Sequence, residues 1–166
     1  MALTDDIARI AEQEKTLIFP SFDENAAFKL GTTLHALAIG NGWGLTIDIR
    51  HFDRQLFFAA TPGSAPENAD WMRRKRNVVN HFHKSSYRVG LETRLKGTTL
   101  TERSGLAASD YAAHGGGFPV RIGGTGVIGS ITVSGLPQRQ DHETVVEVLC
   151  GLLGHDHAAL ALGPEE

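Results

Sequence analysis

The segment GVIGSITVSG, Gly126 to Gly135, constrains this chain more than any other. It starts inside a G-x-G-x-x-G pattern made by Gly124, Gly126 and Gly129. Between a strand and the opening of a helix, that pattern cradles the pyrophosphate of a dinucleotide. Here the residues after Gly126 alternate instead. Val127, Gly129, Ile131 and Val133 fall on one side, and Ile128, Ser130, Thr132 and Ser134 on the other. A period of two, carried by Val, Ile and Thr, is a strand signal. The glycines therefore read as a turn joining FPVRI to a second strand. No helix follows to receive phosphates, so a dinucleotide site is not expected.

The other elements follow from periodicity and punctuation. Leu3, Ile7, Ile10 and Ala11 have helical spacing. Ser21 and Glu24 spell a capping box for a helix carrying Ala27, Leu30, Leu34 and Leu37, with Gly40 and Gly42 ending it. LTIDIR alternates Leu45, Ile47 and Ile49 against Thr46, Asp48 and Arg50, which predicts a half-buried strand. HFDRQ turns the chain and LFFAAT returns it as a hairpin. A strong helix is predicted in ENADWMRRKRNVVNHFHKSS, with Trp71, Val78, Val79 and Phe82 on one side. Residues 85–117 have little periodicity, and irregular structure with one short helix at most is expected there. Asp141 is placed to cap a last helix whose apolar face holds Val145, Val148, Leu149, Leu152 and Leu153. Hairpins alternating with helices give an α+β fold with antiparallel strands, as a single domain spanning residues 1–166.

Composition narrows the function classes. Of 166 residues, 41% are hydrophobic and 21% charged, which is globular, and the net charge of -3 offers no electrostatic case for nucleic acid or an anionic membrane. One cysteine, Cys150, excludes an intrachain disulfide and is read as a small buried residue. The first residues lack a signal-peptide h-region, and no apolar run approaches a membrane span. A soluble, cytoplasmic protein is expected.

The sharpest candidate for chemistry is Lys75, which shares the apolar stripe of Trp71, Val78 and Phe82. A lysine there needs an anion or must snorkel. The anion is either a ligand carboxylate or phosphate, or a structural acid such as Asp48 or Asp53. The second candidate is HGGGFP: Gly115, Gly116 and Gly117 let the backbone approach a bound group and can form an anion nest beside His114. The chain has no G-x-S-x-G elbow, which rules out a lipase-type use of HGGG. His81 and His83 lie about 200° apart on a helix and make a poor metal pair, though each could serve alone as an axial haem ligand. No H-E-x-x-H or C-x-x-C pattern is present, so no metal site is expected.

FPSFDENAAFKLG, DWMRRKRNVVNHFHKSS, DYAAHGGGFPVRI and GVIGSITVSGLPQRQDHETVV together resemble the haem-degrading-domain family, the GlcG-like group, and within it an uncharacterised-protein branch. The resemblance covers about residues 17–154. It implies a profilin-like fold, an antiparallel five-stranded sheet flanked by helices. It also implies homo-oligomers and, for some members, binding of haem or related tetrapyrroles. Lys75, Ser85 and Gly115 to Gly117 match the family pattern.

A small-molecule binding domain is therefore expected, for haem or an anionic metabolite. Its pocket would lie between the Lys75 helix, the 85–117 segment and the HGGGFP turn. Lys75, Ser85, Arg121 and the glycine N–H groups would hold an acid, and His81, His83 or His114 would ligate a haem iron. The alternatives are an enzyme on a carboxylate or phosphorylated metabolite, with Lys75 as electrophile or base, and a purely structural homo-oligomeric module.

Overall fold

The computed structural model describes residues 2–165. Seven helices and four strands follow in the order α1 (Leu3–Thr16), α2 (Glu24–Asn41), β1 (Thr46–His51), β2 (Arg54–Ala60), α3 (Glu67–Phe82), α4 (Ser86–Leu95), α5 (Leu100–Ser104), β3 (Gly117–Ile122), β4 (Gly126–Ser134), α6 (Gln138–Leu153) and α7 (His157–Leu160). The sheet order is β2-β1-β4-β3, with every neighbouring pair antiparallel. This is the expected α+β architecture with four strands among the described residues, not five. A fifth is reduced to one parallel bridge, Phe19 to Ile122, in which the Phe19 N–H reaches the Arg121 carbonyl at 2.8 Å. Pro20 has no N–H to continue that ladder.

The main core lies between one sheet face and helices α2 and α6. Ile47, Ile49, Phe118, Val120, Ile131 and Val133 meet Leu30 and Leu34 of α2 and Val145 and Leu149 of α6. Helix α3 covers the opposite face. That second layer explains a difference from the expected half-buried strand. Thr46 and Asp48 face α3 and are as buried as their apolar neighbours. Gly129 sits mid-strand in β4, where any Cβ would collide with the Arg50 carbonyl at the β1 irregularity. The three glycines of the G-x-G-x-x-G pattern thus have two unrelated jobs. Gly124 and Gly126 take left-handed turn conformations, and Gly129 permits close strand approach.

Two helix ends depart from expectation. Asp23, not Ser21, caps α2: its carboxylate accepts the Ala26 N–H at 2.9 Å. Phe22 buries its ring in the core, which carries the chain one step further before the helix opens. Asp141 does not cap α6. That helix already starts after Pro137, and Asp141 lies one turn in.

The region expected to be irregular contains both α4 and α5. Helix α4 was hidden because it is buried on more than one side. Tyr87 and Leu91 pack on Ile10 of α1, while Val89 packs on Val78 of α3. A helix buried on several faces loses the one-sided stripe by which helices are read. Its N-terminus is fixed by Ser85, whose hydroxyl accepts the Arg88 N–H.

Candidate functional site

Lys75 is buried on the third turn of α3, in line with Met72, Val78 and Val79. Its side chain runs past Gly116 to the end of the sheet. There Nζ donates to Asp141 Oδ2 at 3.0 Å and to the Val133 carbonyl at 3.2 Å. Its partner is therefore neither Asp48 nor Asp53. Asp48 is occupied by Arg50, Arg76 and Gln55. The second Asp141 oxygen accepts the Leu136 N–H at 3.0 Å. Burial dominates both partners. It pushes the Asp141 carboxyl up to about 6 against the pull of Lys75, and it lowers the Lys75 ammonium despite Asp141. An ammonium carries three N–H groups, and this one uses two on protein acceptors.

The triple glycine makes this burial possible. Gly116 adopts φ +134°, and a Cβ there would lie 2.4 Å from the Val133 oxygen and 2.9 Å from Lys75 Nζ. Only glycine lets Lys75 cross at that height. The N–H groups on either side are already engaged. Gly115 donates to the Gln138 side chain and Gly117 to the Ser86 hydroxyl, so the loop is tied to α6 and α4. The Ser86 hydroxyl in turn donates to the His114 carbonyl.

A cavity of about 250 Å³ opens beside the pair, lined by Asn68, Trp71, Lys75, His114, Gln138 and Asp141 among others. His114 stands edge-on to Trp71, ring centroids 5.3 Å apart. It also lines a second cavity of about 520 Å³ on its other side, with Arg74, Arg94, Leu100, Tyr111 and Ala112. Among the described residues neither imidazole nitrogen of His114 has a hydrogen-bond partner. The partial burial it has, helped by the Lys75 and Arg74 charges, lowers its pKa, which favours the neutral ring.

The predicted site residues therefore divide. Lys75, His114 and Gly115 to Gly117 come together. Ser85 is buried at the start of α4, where its N–H donates to Glu14 at 2.7 Å, and it lines neither cavity. Arg121 lies on β3 and donates to the His83 carbonyl, bordering a different cavity. His81 is exposed on α3, its ring against Phe82 and Tyr111. His83 ends α3 in a left-handed conformation near Phe52. Neither lines the His114 cavities. No group of three or more His, Cys, Asp or Glu among the described residues is arranged to hold a metal ion. Cys150 is buried, which raises its thiol pKa. No helix is long and apolar enough to cross a membrane among the described residues.

The description "Haem degrading protein HbpS-like" matches residues 22–150. The chain belongs to this HbpS-like family. A UPF0303 protein of Burkholderia vietnamiensis is 55% identical over 162 residues, 98% of each chain, and one of Burkholderia cenocepacia is 54% identical over the same span. Among solved structures, the Ybr137w protein is 27% identical with a TM-score of 0.83, covering 89% of this chain and 87% of that one. A PduOC:heme complex shares the fold at 14% identity and a TM-score of 0.65, covering 78% of this chain and 92% of that one.

The residues missed in the sequence were Asp141, Trp71 and Gln138. Asp141 looked like a helix cap and Trp71 like core. The only available signal was that Pro137 can itself open the last helix, which frees Asp141 for another partner.

Proposed function

We propose that this protein is a small-molecule binding domain for a planar acidic tetrapyrrole of the haem class, seated in the larger cavity with His114 facing it. The observation that carries this reading is His114: a neutral imidazole with both nitrogens unpartnered, on the wall of a cavity of about 520 Å³. That volume lies within the roughly 300–1,000 Å³ of ordinary ligand pockets. The other lining residues fit such a group. Arg74 and Arg94 suit acidic side chains, and Leu100, Tyr111 and Ala112 suit a flat apolar body. Bound haem would supply iron-centred chemistry, and the protein's part is to ligate and orient it. Family membership and the fold shared with a PduOC:heme complex support the same class of ligand.

Haemin titration followed by absorbance tests this. A saturable Soret shift at one haem per chain is expected, lost in His114→Ala and kept in His81→Ala and His83→Ala. A shift that survives His114→Ala removes this site, and a non-saturating change in all four proteins removes the haem class.

One observation favours a second reading, an acid–base enzyme acting on a small carboxylate. Lys75, Asp141 and His114 share the smaller cavity, and burial pushes the Asp141 carboxyl up to about 6. Stabilisation by a small carboxylate that disappears in Lys75→Met, while haemin binding persists, would support it. Self-association belongs to the same proposal. Strand β2 has a free edge, and Phe58 on it and Phe28 on α2 are exposed. Sedimentation of the protein and of Phe58→Glu checks that point.

A further inference from the structure

The Gly123–Gly126 turn has a use that differs from the one its pattern advertises. It forms one rim of a groove of about 440 Å³ whose opposite wall is α1. Three cations line the groove: Lys15 from α1, Arg88 from α4 and Arg121 from β3. One acid, Glu14, lies among them. It is already committed, accepting Arg88 Nη1 at 2.8 Å and the Ser85 N–H at 2.7 Å. Arg121 makes one hydrogen bond, to the His83 carbonyl, and no carboxylate lies within ion-pair distance of it among the described residues. Lys15 is exposed and likewise has no acidic partner among them. Two cations in a concave site thus have no carboxylate at ion-pair distance among the described residues; Arg121 feels Glu14 only at longer range, and Glu14 is already held by Arg88 and Ser85. Between them the floor is apolar: Ala11, Ile18 and Ile122. Ile18 is 38% exposed there, one of few large apolar residues open to solvent.

We propose that this groove binds an amphipathic organic acid, with its oxyanion against Arg121 and Lys15 and its short apolar body over Ala11, Ile18 and Ile122. Charge and shape both contribute. A guanidinium fork and a nearby ammonium select a carboxylate or phosphate. The apolar floor favours an alkyl or aryl group over a free inorganic ion. Arg121 lines neither cavity beside His114, so this site stands or falls apart from the haem-class reading.

Calorimetric titration of the full chain with octanoate, octyl phosphate and inorganic phosphate tests the proposal. Octanoate or octyl phosphate should saturate at one per chain, the tighter of the two identifying the head group. Inorganic phosphate should bind about tenfold or more weakly, because it forgoes the apolar contact. Arg121→Gln should weaken the alkyl acid by about tenfold or more through loss of charge-assisted hydrogen bonds. Lys15→Glu, at an exposed position that leaves packing intact, should weaken it as well, and His114→Ala should not. Absence of saturation, or unchanged affinity in both Lys15→Glu and Arg121→Gln, overturns the groove. Loss of haemin binding in His114→Ala together with retained octanoate binding separates the two sites.

Discussion

Asp48 and Asp141 are both buried aspartates, and they are used in opposite ways. Asp48 is fully buried between α3 and the sheet. Arg50 donates to it at 2.9 Å, Arg76 at 3.0 Å and Gln55 at 2.9 Å, so both carboxylate oxygens are satisfied. It lines none of the three cavities described above. Asp141 has one lysine and the backbone N–H groups of Leu136 and Gly135, and it borders a cavity shared with His114. A buried ion pair is weak evidence for stability, since an apolar substitute often does as well. What distinguishes the two is the surroundings. Saturated by several donors and walled in, a buried carboxylate holds layers together. Held by one lysine and two backbone N–H groups at a cavity wall, the same group can meet a ligand or a proton.

Four experiments would break or sharpen that contrast, and the largest effect belongs to Asp48. Asp48→Ala strands Arg76 and Arg50 and should lower the unfolding free energy by about 3–5 kcal/mol in denaturant titrations. A loss near zero would erase the structural role assigned to it. Gly116→Val comes next. It combines a strained φ of +134° with contacts to the Val133 carbonyl and Lys75 Nζ, and should cost about 2–3 kcal/mol. Its melting temperature compared with wild type reads this out, and an unaltered value would mean Lys75 does not need the glycine passage.

The third test uses pH. The fold raises the Asp141 pKa from 3.8 to about 6, so the fold favours its protonated form. The associated stability is fully present below pH 3.8 and is lost as pH rises through about 6. Between pH 4 and 7 Asp141 should therefore subtract from the unfolding free energy, against the rise contributed by buried His142, whose pKa burial lowers to about 3, and the Asp141 part should vanish in Asp141→Asn. Parallel curves for the two proteins would refute the shift. The smallest stability effect is that of His114→Ala. Its side chain makes no hydrogen bond within the protein, so stability should change by less than about 0.5 kcal/mol. A larger loss would make His114 a structural residue instead of a ligand-facing one.

Local pattern carried much of this molecule. The alternation after Gly126 marked β4 and excluded a dinucleotide site. The apolar stripe of α3 marked Lys75 as out of place in water. The HGGG run marked a backbone that must approach something closely. Each is a property of neighbouring residues, because helix and strand periods are set over a few positions. Three-dimensional packing decided the rest. Lys75 and Asp141 are 66 residues apart, and Lys75 and the Val133 carbonyl 58. Arg121 matched Lys75 as a cation for one acid, yet the sheet places it in another groove. Helix α4 escaped notice because packing against both α1 and α3 removed its one-sided pattern.

Sequence by itself thus determined the element types outside residues 85–117, the α+β class and the charged residues out of place in a core. Only the tertiary structure decided which of them meet. Local preference depends on backbone sterics and the period of apolar residues, which a short window contains. The pairing of a buried charge depends on which distant segments exclude water from it together, and that exists only once the sheet and its two helical layers have closed.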